Sequence, residues 1–356
     1  MAITVGGITL HVGGPGAADD LEAAIVGFLD AATTSLDVAV QELESQPIAD
    51  AILRAKLRGV RVRLALEGDY LTEVKALADP WAPGGENEAN RRIHSALQRA
   101  RVPTITDLNP NIFHQKFVVR DLGVSGRAAV LTGSTNFTPT DTSVNLNHVL
   151  IVKGERIAKT YAAEFAELWS GTFGSVRERH DPEPFESKIG GVRVRVLFAP
   201  DHAPEMEMMK QMLKAREGVE FAIFTFTRTS GIDDTMVALQ RGDIPVRGIL
   251  DRGQGNQTWA ATKDLRAGGI DLFLVRAGTG VRKLHHKLMV IDGQVIVAGS
   301  FNYTDPANRL NDENLLVIGD LETTDADEVA RQTQLGTYAR DEIRRIITAF
   351  GEPAPL

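Results

Sequence analysis

The sequence predicts an α/β protein built from two similar lobes, each a mixed sheet flanked by helices. The chain has 356 residues, which is about twice the length of a typical domain of roughly 150 residues. Short apolar segments that resemble buried strands alternate with amphipathic helical segments along the chain. A set of short motifs in the first half also recurs in the second half, which predicts a duplicated architecture.

The composition is that of an ordinary folded protein, with 43% hydrophobic and 24% charged residues. The chain has no cysteine, which excludes disulfides, thiolate metal sites and a thiol nucleophile. The net charge of −8 argues against binding nucleic acid through bulk positive charge, but it leaves a local basic cleft open. No apolar run approaches about 18 residues, and the start carries no basic leader, so we expect a cytoplasmic protein without a transmembrane segment.

The repeat consists of two motifs in each half. Residues 114–121 read HQKFVVRD and residues 285–292 read HHKLMVID. A second motif follows each of them, GSTNFT at 133–138 and GSFNYT at 299–304. The first motifs are 171 residues apart and the second motifs 166 (285 − 114 and 299 − 133), so the first half has five more residues between its motifs. These residues include Gly and Ser, which predict a longer hairpin turn.

The elements around the motifs also match between the halves. Strands are predicted at 34–42 and 218–227, and each is followed by a helix and a further strand. The helices are predicted at 47–59 and 231–242, and the next strands at 60–66 and 245–250. A strand follows each Gly-Ser motif, at 148–152 and 314–318. A helix closes each half, at 155–169 and about 326–349.

This alignment divides the chain into a first lobe at 1–175, a linker at 176–191, and a second lobe with a C-terminal helix at 192–356. The linker is predicted because the segment is rich in Gly, Ser, Pro and charge. The first lobe has an additional polar loop at 76–92, which leads into a helix near 88–100.

Each H-x-K motif lies on a predicted strand, so its His and Lys point to one side and the middle residue points to the other. A His–Lys pair with a downstream amide, Asn136 or Asn302, is half of a site for displacement at phosphorus. Two facing sets complete the site, because one imidazole attacks the phosphodiester while the other protonates the leaving oxygen. The Lys and Asn side chains would hold the non-bridging oxygens and neutralise the developing charge.

The pattern H-x-K-x4-D-x6-G-S-x-N, present twice, resembles that of the phospholipase D superfamily over about residues 20–320. The second copy fits without a gap, and the first departs only in the spacing before Gly133. The resemblance implies two α/β lobes packed with pseudo-two-fold symmetry, a metal-independent site at their interface, a covalent histidine intermediate and no cofactor. By motif position it implies catalytic roles for His114, Lys116, Asn136, His285, Lys287, Asn302 and Glu313, support of the site by Ser134 and Ser300, and bracing of the motifs by Asp121 and Asp292.

One difference between the halves bears on the roles of the two histidines. Glu313 in the second half is matched by Asn147 in the first. A carboxylate partner raises the basicity of an imidazole, whereas an amide leaves it a readier acid. By analogy with the tyrosyl-DNA phosphodiesterase branch, Glu313 orients His114 as nucleophile, and His285 beside Asn147 is the general acid. If Glu313 instead pairs within its own half, the two roles reverse.

Several other features have ordinary structural interpretations. A metal site formed by His114, His285 and His286 is disfavoured. Lys, which occupies the matched position in each motif, is a poor metal ligand, and no zinc-type spacing occurs. His148 and His286 are expected either to pack in the interior or to support the site from behind the motif histidines. The basic run of Arg54, Lys56, Arg58, Arg61 and Arg63 is interpreted as a solvated face, with contact to a polyanion as the alternative. The methionines at 206–212 indicate helix packing, with an apolar substrate groove as the alternative.

The substrate is left between two classes. A nuclease acting on DNA or RNA is favoured by the compact size, the lack of a leader and the strand FTFT, which looks like that of the small endonuclease branch. The alternative, a phospholipase D or phospholipid transferase, needs an apolar interfacial surface or an anchor that the sequence does not reveal. A module that only binds phosphate is disfavoured by the complete catalytic set. Since both motifs lie on one chain, a monomer can form the full site, and a homodimer remains open.

Overall fold

The computed structural model describes residues 1–107, 109–176 and 183–355, and over these residues eleven α-helices flank two mixed sheets of eight and nine strands. The predicted class of two similar α/β lobes is confirmed. In each sheet three neighbouring strands are parallel and the others antiparallel. The layers run helices, sheet, helices, sheet, helices.

The first lobe holds the eight-stranded sheet. Its strands are β1 (Ile3–Val5), β2 (Ile8–Gly13), β3 (Ser35–Val40), β4 (Arg61–Leu66), β5 (Thr104–Thr106), β6 (Lys116–Arg120), β7 (Ala129–Gly133) and β8 (Asn147–Lys153). Its helices are α1 (Leu21–Asp30), α2 (Gln46–Leu57), α3 (Glu88–Arg99), α4 (Pro139–Ser143) and α5 (Glu155–Trp169). The strand order is β1-β2-β8-β7-β6-β3-β4-β5.

The second lobe holds the nine-stranded sheet and repeats this arrangement. Its strands are β9 (Phe185–Ile189), β10 (Val192–Ala199), β11 (Val219–Ile223), β12 (Val246–Leu250), β13 (Asp271–Val275), β14 (Lys287–Ile291), β15 (Val295–Gly299), β16 (Glu313–Ile318) and β17 (Gly351–Pro353). Its helices are α6 (Pro204–Met212), α7 (Ile232–Arg241), α8 (Arg252–Gly255), α9 (Thr262–Ala267), α10 (Asp305–Arg309) and α11 (Ala326–Phe350). The strand order is β17-β13-β12-β11-β14-β15-β16-β10-β9.

The boundary between the lobes lies earlier than predicted. Strand β9 falls inside the segment 176–191 that was predicted as linker, and it pairs antiparallel with β10. Its residues alternate between less and more exposed positions, which is typical of an edge strand that packs on one face only. Residues 177–182 of the predicted linker lie outside the described residues.

The central layer joins the two lobes. Helices α5 and α11 contribute to one apolar core together with faces of both sheets. Tyr161 of α5 shows how: its ring packs edge-on against Phe117 of the first sheet and Phe198 of the second, both with ring centroids 5.1 Å apart. The two outer cores are separate and hold each sheet against its own helices.

The structure locates the basic run and the methionine segment, whose roles the sequence left open. Four arginines of the basic run pair with acids distant in sequence, Arg54 and Arg58 with Asp30, and Arg61 and Arg63 with Asp37. Within the methionine segment, Met208 and Met212 are buried in the outer core of the second lobe. Over the described ranges, no helix combines the length and the apolar character needed to cross a bilayer.

The Asp of each H-x-K-x4-D motif lies at a tight turn and binds the start of a neighbouring strand. Both Asp121 and Asp292 have a φ of 53°, a left-handed conformation that Asp adopts more readily than most residues. Asp121 accepts hydrogen bonds from the backbone N–H groups of residues 33–35, and Asp292 from those of 216–218. Each carboxylate therefore links the end of its motif strand to the strand beside it.

We expect Asp121→Ala to lower the free energy of unfolding by about 3 kcal/mol, because the backbone N–H groups of residues 33–35 lose a charged acceptor. Burial opposes ionisation of Asp121, but the hydrogen bonds from residues 33–35 outweigh it and lower its pKa to about 2. This stabilisation is therefore complete above the unfolded pKa near 3.8 and is lost as the pH falls towards 2. Urea denaturation from pH 7 to pH 2 measures both effects, and an Asp121→Ala midpoint equal to that of the wild type would contradict them.

Candidate active site

Both H-x-K motifs meet in one cleft between the lobes. The cleft has a volume of about 870 Å³, and its lining includes His114 and His285 together with Asn136 and Asn302. Each histidine lies two residues before the motif strand, β6 or β14, and not on it as predicted, because the sheet ends and the cleft begins there. All four side chains are buried or half-buried, which places them on the floor of the cleft.

Reciprocal backbone hydrogen bonds hold the two motifs together. The N–H of His114 donates to the carbonyl of Asp312 at 3.0 Å, and the N–H of His285 donates to the carbonyl of Leu146 at 2.9 Å. The residues after these acceptors are Glu313 and Asn147, at the starts of β16 and β8. Each histidine is therefore anchored beside the polar residue of the opposite lobe.

The imidazole of each histidine pairs across the lobes. His114 Nδ1 lies 2.7 Å from Glu313 Oε2, which also accepts the hydroxyl hydrogen of Ser300 at 2.5 Å. His285 Nδ1 lies 3.1 Å from Asn147 Oδ1, which accepts the hydroxyl hydrogen of Ser134 at 2.7 Å. Glu313 therefore meets the histidine of the other half, the arrangement that the analogy leads us to expect.

The two lysines have different surroundings. Lys116 Nζ donates to Gln41 Oε1 at 2.9 Å and to the carbonyl of His114 at 2.8 Å. Lys287 Nζ donates to the carbonyl of His285 at 3.0 Å and lies 5.2 Å from the centroid of the Phe224 ring. Gln41 and Phe224 follow the equivalent strands β3 and β11, so the repeat keeps the lysine and changes what holds it. Burial lowers the pKa of Lys116 to about 8 and holds that of Lys287 well below its usual value.

The two asparagines also differ. Asn136 Nδ2 donates to Glu42 Oε1 at 3.0 Å, so its amide faces a carboxylate that lines the same cleft. Asn302 instead accepts the backbone N–H of Thr225 through Oδ1 at 3.3 Å. Burial, together with the charge of Asp141, raises the pKa of Glu42 to about 7.

The glycine of each Gly-Ser motif is required by a close approach of two strands. A Cβ on Gly133 would lie 2.4 Å from the carbonyl oxygen of His148, and one on Gly299 would lie 2.3 Å from that of Asn314. Both glycines also have φ values, 146° and 156°, that other residues rarely adopt. The glycines therefore let the serine that follows reach the start of the next strand.

Burial disfavours the charged forms of the two imidazoles and of the Glu313 carboxyl. Burial lowers the pKa of His114 and of His285 well below the usual value, and the two lysines act in the same direction. Burial raises the pKa of Glu313 to about 8, although Lys116 partly offsets this. Once Glu313 ionises, a single proton lies between His114 Nδ1 and Glu313 Oε2, and the titration of this short contact belongs to the pair.

A second layer of buried polar pairs lies next to the motif histidines. His148 Nδ1 lies 3.1 Å from His286 Nδ1, so one of the two rings donates and the other accepts. In the matching place, Asn314 Nδ2 donates to Gln115 Oε1 at 2.8 Å. His148 and His286, which we expect either to pack or to support the site, are fully buried, and their hydrogen bond joins the two lobes.

Four residues of the site were not singled out from the sequence: Gln41, Glu42, Phe224 and Asp141. The first three directly follow strands β3 and β11, and comparing QE at 41–42 with FT at 224–225 would have revealed a difference between the repeats. Asp141 lies five residues after Asn136, beyond the end of the repeated motif. Among the described residues, no three His, Asp or Glu side chains form a group that could hold a metal ion.

The family model of the cardiolipin synthase, PLD-like domain matches the chain twice, over residues 25–169 and 208–333. The chain belongs to the phospholipase D superfamily. Both matches contain an H-x-K motif and the Gly-Ser-x-Asn motif that follows it, so each lobe is one phospholipase D-like domain.

Individual relatives are more distant. A mitochondrial cardiolipin hydrolase of Xenopus laevis is 33% identical over 113 residues, which are 32% of this chain and 52% of that protein. A phospholipase D of Rickettsia bellii is 26% identical over 145 residues, 39% of this chain and 68% of that protein. The chain thus spans about half the length of the first of these curated relatives. The crystal structure of phosphatidylserine synthase from Haemophilus influenzae shares the fold of both lobes, with a TM-score of 0.63, 14% identity, and coverage of 99% of this chain and 88% of that one.

We expect the carboxyl of Glu313 to titrate with an apparent pKa near 8, protonated below this pH and ionised above it, because burial disfavours its charge. The carboxyl ¹³C chemical shift of labelled glutamate, followed from pH 5 to pH 10, measures this value. Glu313→Gln identifies the signal by removing it. A midpoint near the ordinary value of 4.5 would contradict this account of the pair.

Proposed function

We propose that this chain is a metal-independent phosphodiesterase that cleaves nucleic acid through a covalent phosphohistidine on His114. The observation that carries the proposal is the crossed pairing of His114 with Glu313 and of His285 with Asn147 on the floor of one cleft. With Nδ1 of each ring engaged by its partner, Nε2 is the nitrogen left to react. Two imidazoles that face one cleft from opposite lobes are suited to the two sides of an in-line displacement.

In the first step His114 Nε2 attacks phosphorus, and the bond from phosphorus to the leaving oxygen breaks. The electron pair of that bond goes to the leaving oxygen, which takes a proton from Nε2 of His285. The ionised form of Glu313 supports the positive charge that His114 acquires when it forms the P–N bond. Lys116 and Lys287, with the two asparagines, bind the non-bridging oxygens.

In the second step His285, now neutral, takes a proton from water, and the water oxygen attacks phosphorus. The P–N bond breaks and returns its electron pair to His114. The products are a phosphate monoester and an alcohol, and both histidines regain their initial protonation states.

The lining of the cleft favours a hydrophilic substrate. Among the described residues that line the cleft, Ile112 is the one aliphatic residue apart from two prolines. The other side chains are mainly amide, hydroxyl, charged and aromatic groups. An acyl chain would find little apolar surface here, whereas nucleobases can stack on the rings of Phe224 and Trp259. Arg282 and Lys283 add positive charge at the rim, where the backbone of a nucleic acid would lie.

A lipid phosphodiester is the second candidate substrate, and two observations favour it. The similar curated proteins include a cardiolipin hydrolase and a phospholipase D. Trp81 is also 96% exposed on the loop that follows β4, as an interfacial anchor would be. The same two-histidine chemistry applies to either substrate, so vesicles belong in the test.

Purified wild type in excess EDTA should cleave labelled single-stranded DNA, duplex DNA or RNA, because the chemistry rests on protein side chains alone. Cardiolipin and phosphatidylcholine vesicles are assayed in parallel. Cleavage of vesicles with intact nucleic acids would replace the first substrate class by the second. Loss of all activity in EDTA would contradict the two-histidine mechanism.

The roles of the histidines can be separated with a p-nitrophenyl phosphodiester, whose leaving group needs no proton. His285→Ala should then accumulate a phosphorylated His114, because attack proceeds while the base for hydrolysis is missing. His114→Ala should form no adduct. Intact-mass and peptide mass spectrometry under alkaline conditions detect the adduct, and an adduct on His285 in the His114→Ala variant would reverse the assignment.

Replacing both Arg282 and Lys283 by Ala should lower the affinity for an oligonucleotide. It should also make that affinity less dependent on salt concentration. For a single strand, loss of two phosphate contacts makes the slope of log K against log [salt] shallower by about 1.4. Fluorescence anisotropy from 50 to 300 mM salt measures this slope. An unchanged slope would show that the nucleic acid does not run along this rim.

A further inference from the structure

The imidazole of His285 has a carboxylate neighbour besides its amide partner. Asp141 Oδ2 lies 3.4 Å from His285 Nδ1, the same nitrogen that lies 3.1 Å from Asn147 Oδ1. Asp141 belongs to helix α4 of the first lobe, is 4% exposed and lines the cleft. Position 147, which matches Glu313, carries an amide. Asp141, six residues earlier in the chain, supplies a carboxylate to His285 instead.

The helix itself does not require this carboxylate. Thr138 caps α4 by accepting the N–H of Asp141 at 3.1 Å, and Thr304 caps the equivalent α10 by accepting the N–H of Ala307 at 3.2 Å. Ala307 lies 166 residues after Asp141, the spacing of the Gly-Ser motifs, so the repeat builds the same cap with no acid at this position. The carboxylate of Asp141 therefore occurs in the first lobe alone. It lies beside His285, the histidine whose other partner is the amide of Asn147.

We propose that Asp141 is the positioning carboxylate of His285. It orients this imidazole as Glu313 orients that of His114. The proposal rests on the function proposed above, in which His285 is the general acid. Asp141 holds the imidazole in place and balances its charge; it does not touch the substrate and takes no proton during the reaction.

The chemistry of the first step requires such a group. While Nδ1 donates to Asn147, a proton on Nε2 makes His285 a cation, and a neutral amide oxygen supplies no full charge to balance it. Burial disfavours that cation, and so do the charges of Lys287, Lys116, His114 and Lys283. A carboxylate at 3.4 Å opposes them, so the proton is available when the P–O bond breaks.

Asp141 is itself fixed by further contacts. Its Oδ2 accepts the backbone N–H of Asn136 at 2.8 Å, and its Oδ1 accepts a hydrogen from the amide of Asn145. Its backbone carbonyl accepts Nδ2 of Asn147 at 3.0 Å, which turns Oδ1 of that amide towards His285. Asp141 therefore acts on the imidazole of His285 in two ways. Its carboxylate contacts the ring directly, and its main-chain carbonyl orients the amide of Asn147.

The test compares two substrates that differ in their need for a general acid. One is a p-nitrophenyl phosphodiester, and the other is the oligonucleotide or vesicle with an alkoxide leaving group that the wild type cleaves. Asp141→Asn keeps the shape, so it should lose about 10²-fold in kcat on the alkoxide substrate and only a few-fold on the nitrophenyl ester. Asp141→Glu should recover part of the loss, and Glu313→Gln is the matched control, since impairing the nucleophile slows both substrates.

The pH profile gives an independent readout. Removing the carboxylate lowers the pKa of the His285 cation, so the alkaline limb of kcat on the alkoxide substrate should move to lower pH in Asp141→Asn. Equal losses on both substrates with an unmoved limb, or a rate equal to the wild type, would overturn the proposal, and the thermal midpoint identifies a variant that fails to fold. A wild type that cleaves neither substrate would instead overturn the proposed function.

Discussion

The constraint on which the site depends is that each motif histidine is held by the lobe that does not carry it. The polar groups at this interface are buried, and a buried polar group without a partner costs free energy. Each lobe alone would leave His114 or His285, and the polar residue meant for it, without that partner. The reciprocal backbone bonds from His114 to Asp312 and from His285 to Leu146 satisfy the adjacent peptide groups in the same way. The lobes are thus locked in one register, and the imidazoles are oriented before any substrate binds.

Duplication supplies two nearly identical motifs, yet a displacement at phosphorus needs two imidazoles that behave differently. The repeat keeps the His, Lys, Gly, Ser and Asn positions and varies their neighbours. Glu313 faces one ring, whereas Asn147 and Asp141 face the other. The lysines differ likewise, one beside the Gln41 amide and the other beside the Phe224 ring. The difference in charge around the two rings therefore arises beside the motifs and not within them.

Elements with a strong local pattern could be predicted from the sequence, and elements set by distant partners could not. Helix α5 was predicted with its observed bounds, because its apolar positions recur at helical spacing. Strands at 34–42 and 218–227 were predicted too long, since they end at Val40 and Ile223. In the second lobe Phe and Thr still alternate at 224–227, whereas in the first lobe polar residues follow Val40. In both lobes the chain leaves the sheet at these ends and lines the cleft. Strand β9 was missed because a short, polar edge strand is recognisable only from its pairing with β10.

The sequence by itself determined the family of motifs, the duplication and the residue types of the site, because these depend on spacing along one chain. It also indicated that Glu313 and Asn147 make the halves unequal. Only the tertiary structure decided which histidine each of them meets, since that contact crosses nearly 200 residues of sequence for Glu313 and His114. It also decided that Asp141 approaches His285 and that Gln41 holds Lys116. These side chains come from separate elements, and only the packing of the two sheets brings them into contact.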